Sequence, residues 1–149
     1  MRINKVKLSN FAQHRNLDVD ISENIVGIIG RNGSGKSNFA ASISMAITGE
    51  FGKKKKKDLI TFGQKTGSIY VEGNIKNKEL QPNKYTHLWK TSKTKKSMNL
   101  VFRDDKLISL NQTPAEKEEL RINVFNIKQN KSYSNSCSAK MLFYKVQLH

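Results

Sequence analysis

The chain has 149 residues, of which 36% are hydrophobic and 26% charged, with a formal net charge of +15 and one cysteine, Cys137. That length and composition suit one domain with a core of ordinary size, or a piece of one, and they exclude a disulfide framework and a cysteine-built zinc site. No run approaches the roughly eighteen apolar residues of a membrane span, and the opening segment lacks the apolar centre of a secretory signal, so a cytoplasmic location without a membrane partner is expected.

The charge is uneven. Counting side chains gives net +2 over residues 1–50, +10 over 51–100 and +3 over 101–149, and lysine outnumbers arginine 22 to 5. A middle third this basic suits a polyanion, with duplex DNA bound independently of sequence as the expected partner. A solvated lysine-rich surface is the plainer reading, since specific phosphate clamps favour arginine.

In chain order, Ile3, Val6 and Leu8 alternate with polar neighbours and predict a strand. Asn10 to Asn16 reads as a turn. Leu17, Val19 and Ile21 alternate with Asp18 and Asp20, a second strand, antiparallel to the first at a sheet edge. Ile25 to Gly30 is an unbroken apolar run, the pattern of a strand buried on both faces. Beyond it Phe39, Ala40, Ile43, Ala46 and Ile47 recur at helical spacing, with Gly49 as the expected C-cap.

Lys53, Lys54, Lys55, Lys56 and Lys57 are consecutive, so Gly52 to Asp58 is expected to be a solvated or anion-bound loop and the leading DNA contact. Leu59, Ile60 and Phe62 are expected to return the chain to the core, and Ser68 to Ile75 reads as a strand. Gln81 to Lys96 is polar, anchored by Tyr85, Leu88 and Trp89. Those two aromatics either stack on bases or pack in a satellite core. Met98 to Phe102, the Asp104–Asp105 pair and Leu107 to Leu110 predict a hairpin. Thr113, Pro114 and Glu116 have the signature of a helix start. Ile122 to Ile127 reads as a strand, Ser132 to Ser138 as a loop and Ala139 to Leu148 as a last helix. His14, His87 and His149 lack metal-ligand spacing and are expected at the surface.

The chemistry concentrates in Gly30 to Ser37, G-R-N-G-S-G-K-S, which fits the phosphate-binding pattern G-x-x-x-x-G-K-[ST] between a strand and a helix. Such a loop wraps a phosphate with backbone N–H groups. Gly30, Gly33 and Gly35 would permit positive φ and close approach, and the helix N-terminus would face the same anion. Lys36 would place a charge between the β- and γ-phosphates, and the Ser37 hydroxyl is a hard ligand suited to Mg²⁺. ATP and Mg²⁺ are the expected ligands.

Over about its first half the chain resembles the N-terminal ATPase lobe of SbcC-type double-strand-break repair proteins, relatives of the SMC proteins. The resemblance rests on L-S-N-F at Leu8 to Phe11, on Ile25 to Gly49, on L-I-T-F-G at Leu59 to Gly63 and on S-I-Y-V-E-G-N-I from Ser68. Asn32, Ser34 and Asn38 match the family's loop and its follower. The resemblance implies an α/β P-loop NTPase with a mixed sheet and antiparallel edge strands, arranged as an ABC/SMC-type N-terminal lobe. It implies a lobe over 1–131 and a poorly matched tail over 132–149. It also implies a Q-loop glutamine, a ligand to metal and γ-phosphate, for which Gln129 stands at a compatible distance. Relatives carry an arginine just after N-F. Here Ala12 occupies that place, and Arg15 follows three residues on.

The family's Walker B strand, S-G-G signature and coiled coil do not appear in the sequence. Leu100 to Asp105 is interrupted by Arg103 and followed by no glutamate. The resemblance therefore implies a half-site that hydrolyses ATP only with a C-terminal lobe and a dimer partner, and with a nuclease subunit as an associate. Phages encode such ATPases, and the lysine-rich composition suits one. Two other readings stand beside it: a basic DNA-binding module, or a truncated gene product, each with a relic loop.

Overall fold

The computed structural model describes residues 2–23, 25–48, 55–75, 83–110, 113, 115 and 145–147. Six strands form one sheet: β1 (Arg2–Phe11), β2 (His14–Asp20), β4 (Thr66–Ile75), β5 (Asn83–Ser92), β6 (Met98–Arg103) and β7 (Lys106–Leu110). Their order is β2-β1-β4-β5-β6-β7, and every neighbouring pair is antiparallel. Among the described residues a second sheet pairs β3 (Gly27–Ile29) and β8 (Lys145–Gln147) in parallel. Helix α1 (Lys36–Thr48) follows β3.

Register explains the core. Side chains opposite one another across an antiparallel sheet share a face. One row runs Leu17, Leu8, Ile69, Trp89, and the next runs Val19, Val6, Val71, His87, Val101. Val6, Leu8, Ile69, Val71 and Trp89 are buried with Phe11 and with Phe39 and Ala46 of α1. The helix therefore covers one face of the long sheet. Phe11 meets Trp89 edge to face, with ring centroids 6.4 Å apart and planes at 88°, a geometry worth about 0.5–1.5 kcal/mol beyond burial.

The edge pair β2–β1 and the hairpin across Asp104–Asp105 are found as expected. Asp104 and Asp105 adopt φ of 48° and 63°, the left-handed pair that matches strand twist in a two-residue turn. The turn between β1 and β2 is tighter than expected, with Phe11 opposite His14.

Several expectations are corrected. The polar segment Gln81–Lys96 contains a ten-residue strand, β5, because Tyr85, His87, Trp89 and Thr91 form a buried period-2 face that hydroxyl and imidazole groups disguise. Trp89 and Tyr85 are core residues, which removes base stacking as their role. His87 is not at the surface but 1% exposed. Ile25–Gly30 is not buried on both faces: Val26 is buried, while Ile25 and Ile29 are 79% and 51% exposed. Leu59 and Ile60 join the core, but Phe62 is 97% exposed. The lysine run ends in a short 3-10 turn, Lys56–Leu59, rather than an irregular loop. Within the segment read as a last helix, Lys145–Gln147 is a strand, since it supplies the partner β3 needs. Gly49, Pro114 and residues 116–120 of the expected helix, the strand at 122–127, the loop at 132–138 and His149 lie outside the described residues.

Burial pushes the His87 imidazole down from 6.5 to about 4. The unfolded chain therefore binds this proton more readily than the folded chain. The stabilisation from keeping His87 neutral is complete above about pH 6.5 and is lost as pH falls toward 4, a span worth roughly 3 kcal/mol. Urea unfolding measured from pH 7 to pH 4 is expected to show that decline, and His87→Leu is expected to flatten it.

Candidate functional site

Gly30 to Ser37 forms a loop that ends in the first turn of α1, where the Phe39 N–H donates to the Gly35 carbonyl at 2.8 Å. Gly33 and Gly35 have φ of 81° and 91°, a region that side chains make costly. Gly30 does not share that conformation. Its missing Cβ makes room instead, because a Cβ there would lie 2.7 Å from Ser34 Oγ.

That hydroxyl is buried without a hydrogen-bond partner among the described residues. An orphaned donor in a glycine-rich loop at a helix N-terminus fits an anion cradle. Lys36 Nζ donates to the carbonyls of Gly30 and Arg31, each at 2.7 Å. An ammonium has three donors, so one remains for a further acceptor. Ser37 stands exposed on the first turn of the helix, and that turn carries no acidic residue to oppose an anion.

The β1–β2 turn holds the loop from behind. His14 Nε2 donates to the Gly35 carbonyl at 3.2 Å, which requires the tautomer protonated at Nε2. Asn38 Nδ2 donates to Gln13 Oε1. On the turn's other side, the Ala12 N–H donates to the Leu59 carbonyl at 2.7 Å and the Thr61 N–H to the Asn10 carbonyl at 3.0 Å. Thr61 Oγ1 donates to the Ala12 carbonyl at 2.8 Å. Asn10 and Ala12 take φ of 49° and 51° to make these contacts.

Gln13 and His14 are the loop-supporting residues that sequence reasoning missed. Only their position after N-F hinted at them, since their partners lie more than twenty residues away. Ala12 contributes its backbone, and Arg15 is exposed on β2.

Of the other expected residues, Lys55 and Lys57 are exposed, while Lys53, Lys54 and Gln129 lie outside the described residues. Arg103 to Asp105 form the hairpin turn and not a Walker B strand. Among the described residues no cluster of histidine, cysteine and carboxylates could hold a metal, and no helix is long and apolar enough to cross a membrane.

A strand, a glycine loop and a helix packed beside an antiparallel sheet make up a P-loop fold. The chain belongs to the AAA domain family, whose model matches residues 5–147. In sequence it is similar to RecF and Rad50 proteins, and in fold to SMC heads. It is 32% identical over 80 residues to the DNA replication and repair protein RecF of Desulforudis audaxviator, covering 53% of this chain and 22% of that one. It is 36% identical over 72 residues to the DNA double-strand break repair Rad50 ATPase of Methanocaldococcus jannaschii, covering 48% of this chain and 7% of that one.

The chain thus spans under a quarter of the length of these relatives. Among solved structures, an SMC ATPase studied for ATP-driven dimerisation superposes with a TM-score of 0.65 at 19% identity, covering 84% of this chain and 80% of that one. The SMC head domain from Thermotoga maritima superposes with a TM-score of 0.55 at 22% identity, covering 83% and 42%.

The two left-handed glycines of the loop differ in a way that can be measured. A Cβ at Gly33 meets nothing within 4 Å, whereas one at Gly35 would lie 2.5 Å from His14 Nε2. Gly33→Ala is expected to cost only the backbone strain, about 1–2 kcal/mol in urea unfolding. Gly35→Ala is expected to cost more, and His14→Ala in the same chain should recover the excess but not the strain. Equal costs at the two glycines would show that His14 does not press on the loop.

Proposed function

We propose that this chain is the ATP-binding half-site of an SbcC/SMC-type ATPase acting in DNA double-strand-break repair and recombination. The observation that carries the reading is the cradle itself: Gly33 and Gly35 in left-handed conformation, the orphaned Ser34 hydroxyl, and Lys36 with one donor to spare, all at the start of α1. ATP is the nucleotide favoured, since RecF in its ATP form is among the structures this fold resembles, with a TM-score of 0.56 at 17% identity over 72% of this chain and 28% of that one.

In this reading the loop amides and Lys36 hold the β- and γ-phosphates. Asn32 and Asn38 flank them, and Asn38 is oriented by Gln13. Ser37, with Gln129, would hold Mg²⁺, which supplies charge neutralisation on the phosphates when bound.

Hydrolysis requires groups that orient water and meet charge on the far side of the γ-phosphate. The described residues present no such carboxylate at the loop. A C-terminal lobe and a second ATPase subunit are the expected source. The exposed Ile25 and Ile29 beside the loop are what such a lobe would cover, because exposed large aliphatics on the strand leading to a site favour a packed neighbour. Duplex DNA is the expected polyanion for the basic middle third, and a nuclease subunit the expected associate.

Calorimetry with MgATP tests the half-site. Lys36→Ala removes a charged donor and should weaken binding by about 1.5–3 kcal/mol. Equal affinity in the two proteins would sink the reading. Phosphate release by the purified chain should stay near background and rise when a complementary C-terminal lobe is added. Robust turnover by the chain alone would point to a catalytic carboxylate elsewhere in it.

A further inference from the structure

Two side chains of the β1–β2 turn close on a single glycine of the loop. A Cβ at Gly35 would lie 2.5 Å from His14 Nε2, 2.8 Å from His14 Cε1 and 3.5 Å from Gln13 Oε1. The bare Cα of Gly35 is thus the surface on which the turn rests. Gln13 also accepts from Asn38 Nδ2 in the first turn of α1, so the same turn grips the loop and the helix that follows it.

The Gly35 carbonyl has two donors. It accepts from the Phe39 N–H at 2.8 Å, a helical bond, and from His14 Nε2 at 3.2 Å. A carbonyl oxygen has two lone pairs, so both bonds can form together. The helical bond alone satisfies this carbonyl. The His14 bond is therefore not needed to pair the backbone, and removing it leaves no peptide group of the loop without the partner it already has.

What the second bond does follows from peptide geometry. Among the described residues no peptide bond is cis. In a planar trans peptide the carbonyl and the next N–H point in opposite directions, so holding the Gly35 carbonyl holds the Lys36 N–H as well. Lys36 is the first residue of α1. N–H groups at that place lack an intrahelical acceptor and face an anion at the helix start. Two donors on one carbonyl resist rotation of the peptide plane. They also polarise the peptide, which makes its N–H a stronger donor. Gly35, at φ of 91°, is a joint that glycine leaves free to turn, so pinning it has a consequence that pinning a stiffer residue would not.

We infer that His14 is a positioning residue for nucleotide binding: through the Gly35 carbonyl it aims and polarises the Lys36 N–H, and so sets the affinity of the loop for phosphate. It acts on the peptide and does not touch the nucleotide. The inference rests on the ATP half-site proposed above and assigns part of its affinity to a residue outside the glycine loop.

Calorimetry of the full chain with MgATP and with inorganic triphosphate and Mg²⁺ tests it. His14→Phe keeps a ring and removes the donor. It is expected to weaken both ligands about tenfold, the scale of a hydrogen bond made to a charged group. His14→Leu, which lacks both ring and donor, should show the same loss and serves where the larger ring unfolds the chain. His14→Gln carries an amide donor of similar reach and is expected to keep both affinities within about threefold of the natural chain. Urea unfolding of each chain gives the folded fraction during titration, which separates lost protein from lost affinity.

Unchanged affinity in the donorless variants would overturn the inference and leave the half-site in place. A loss for MgATP without one for triphosphate would overturn it by placing His14 against the nucleoside, and a natural chain that binds MgATP but not triphosphate would do the same. A loss that His14→Gln does not recover would assign the effect to the ring and overturn the hydrogen-bond route. A natural chain that binds neither ligand would overturn the half-site reading itself, and the role of His14 with it.

Discussion

Everything near the glycine loop depends on one turn held from both sides. Asn10 to His14 closes the first hairpin, and its backbone is used almost completely. The Asn10 and Ala12 carbonyls accept from Thr61, the Ala12 N–H donates to Leu59, and the next two side chains reach the loop and the first turn of α1. Left-handed backbone at Asn10 and Ala12 is what allows five polar groups to point outward from so few residues. A buried polar backbone group without a partner is costly, so the loop, the hairpin and the Leu59–Thr61 segment stabilise one another as a unit. Ala12 is a small residue whose backbone is the structural element, and the two residues that follow it hold the loop with their side chains.

The sheet supplies the platform. Its inner face is a close-packed array in which Trp89 sits under Phe11, so the residue that starts the turn is anchored in the core. Its outer face separates charge along the strands. Paired lysines at one end contribute little, as exposed ion pairs do. At the other end, among the described residues, the same residue type stands without ion pairs and sums to a positive field near the loop end of the sheet. The same composition thus has two different meanings on one surface, and only the pairing of strands distinguishes them.

The small parallel pair β3–β8 brings together strands more than a hundred residues apart. The segment from Ile25 through β3 presents Val26 and Ile28 inward and Ile25 and Ile29 outward, so a run that is uniformly apolar in sequence is half exposed here. An apolar run states only that water is unfavourable on both faces. It does not say which chain, or which part of a chain, removes that water.

Much of this was legible from residues alone, for local reasons. The glycine loop is a spacing rule, and its flanking strand and helix are periodicities. The Asp104–Asp105 turn follows from the two strands it joins. Alternation over Ile3 to Leu8 and Leu17 to Ile21 was enough to pair the first strands. β5 was missed because its buried face uses His87 and Thr91, which read as polar until neighbours shield them. Phe62 was misplaced because hydrophobicity does not determine direction. The roles of Gln13 and His14 and the orphaned Ser34 hydroxyl could not have been found in the sequence. Each depends on which groups stand within about 3 Å of one another, and on which stand alone. Hydrogen bonds and charge pairing act across space between residues far apart in the chain. The sequence by itself therefore determined the chemistry of the loop, and the tertiary structure alone decided what supports it and where the unneutralised charge lies.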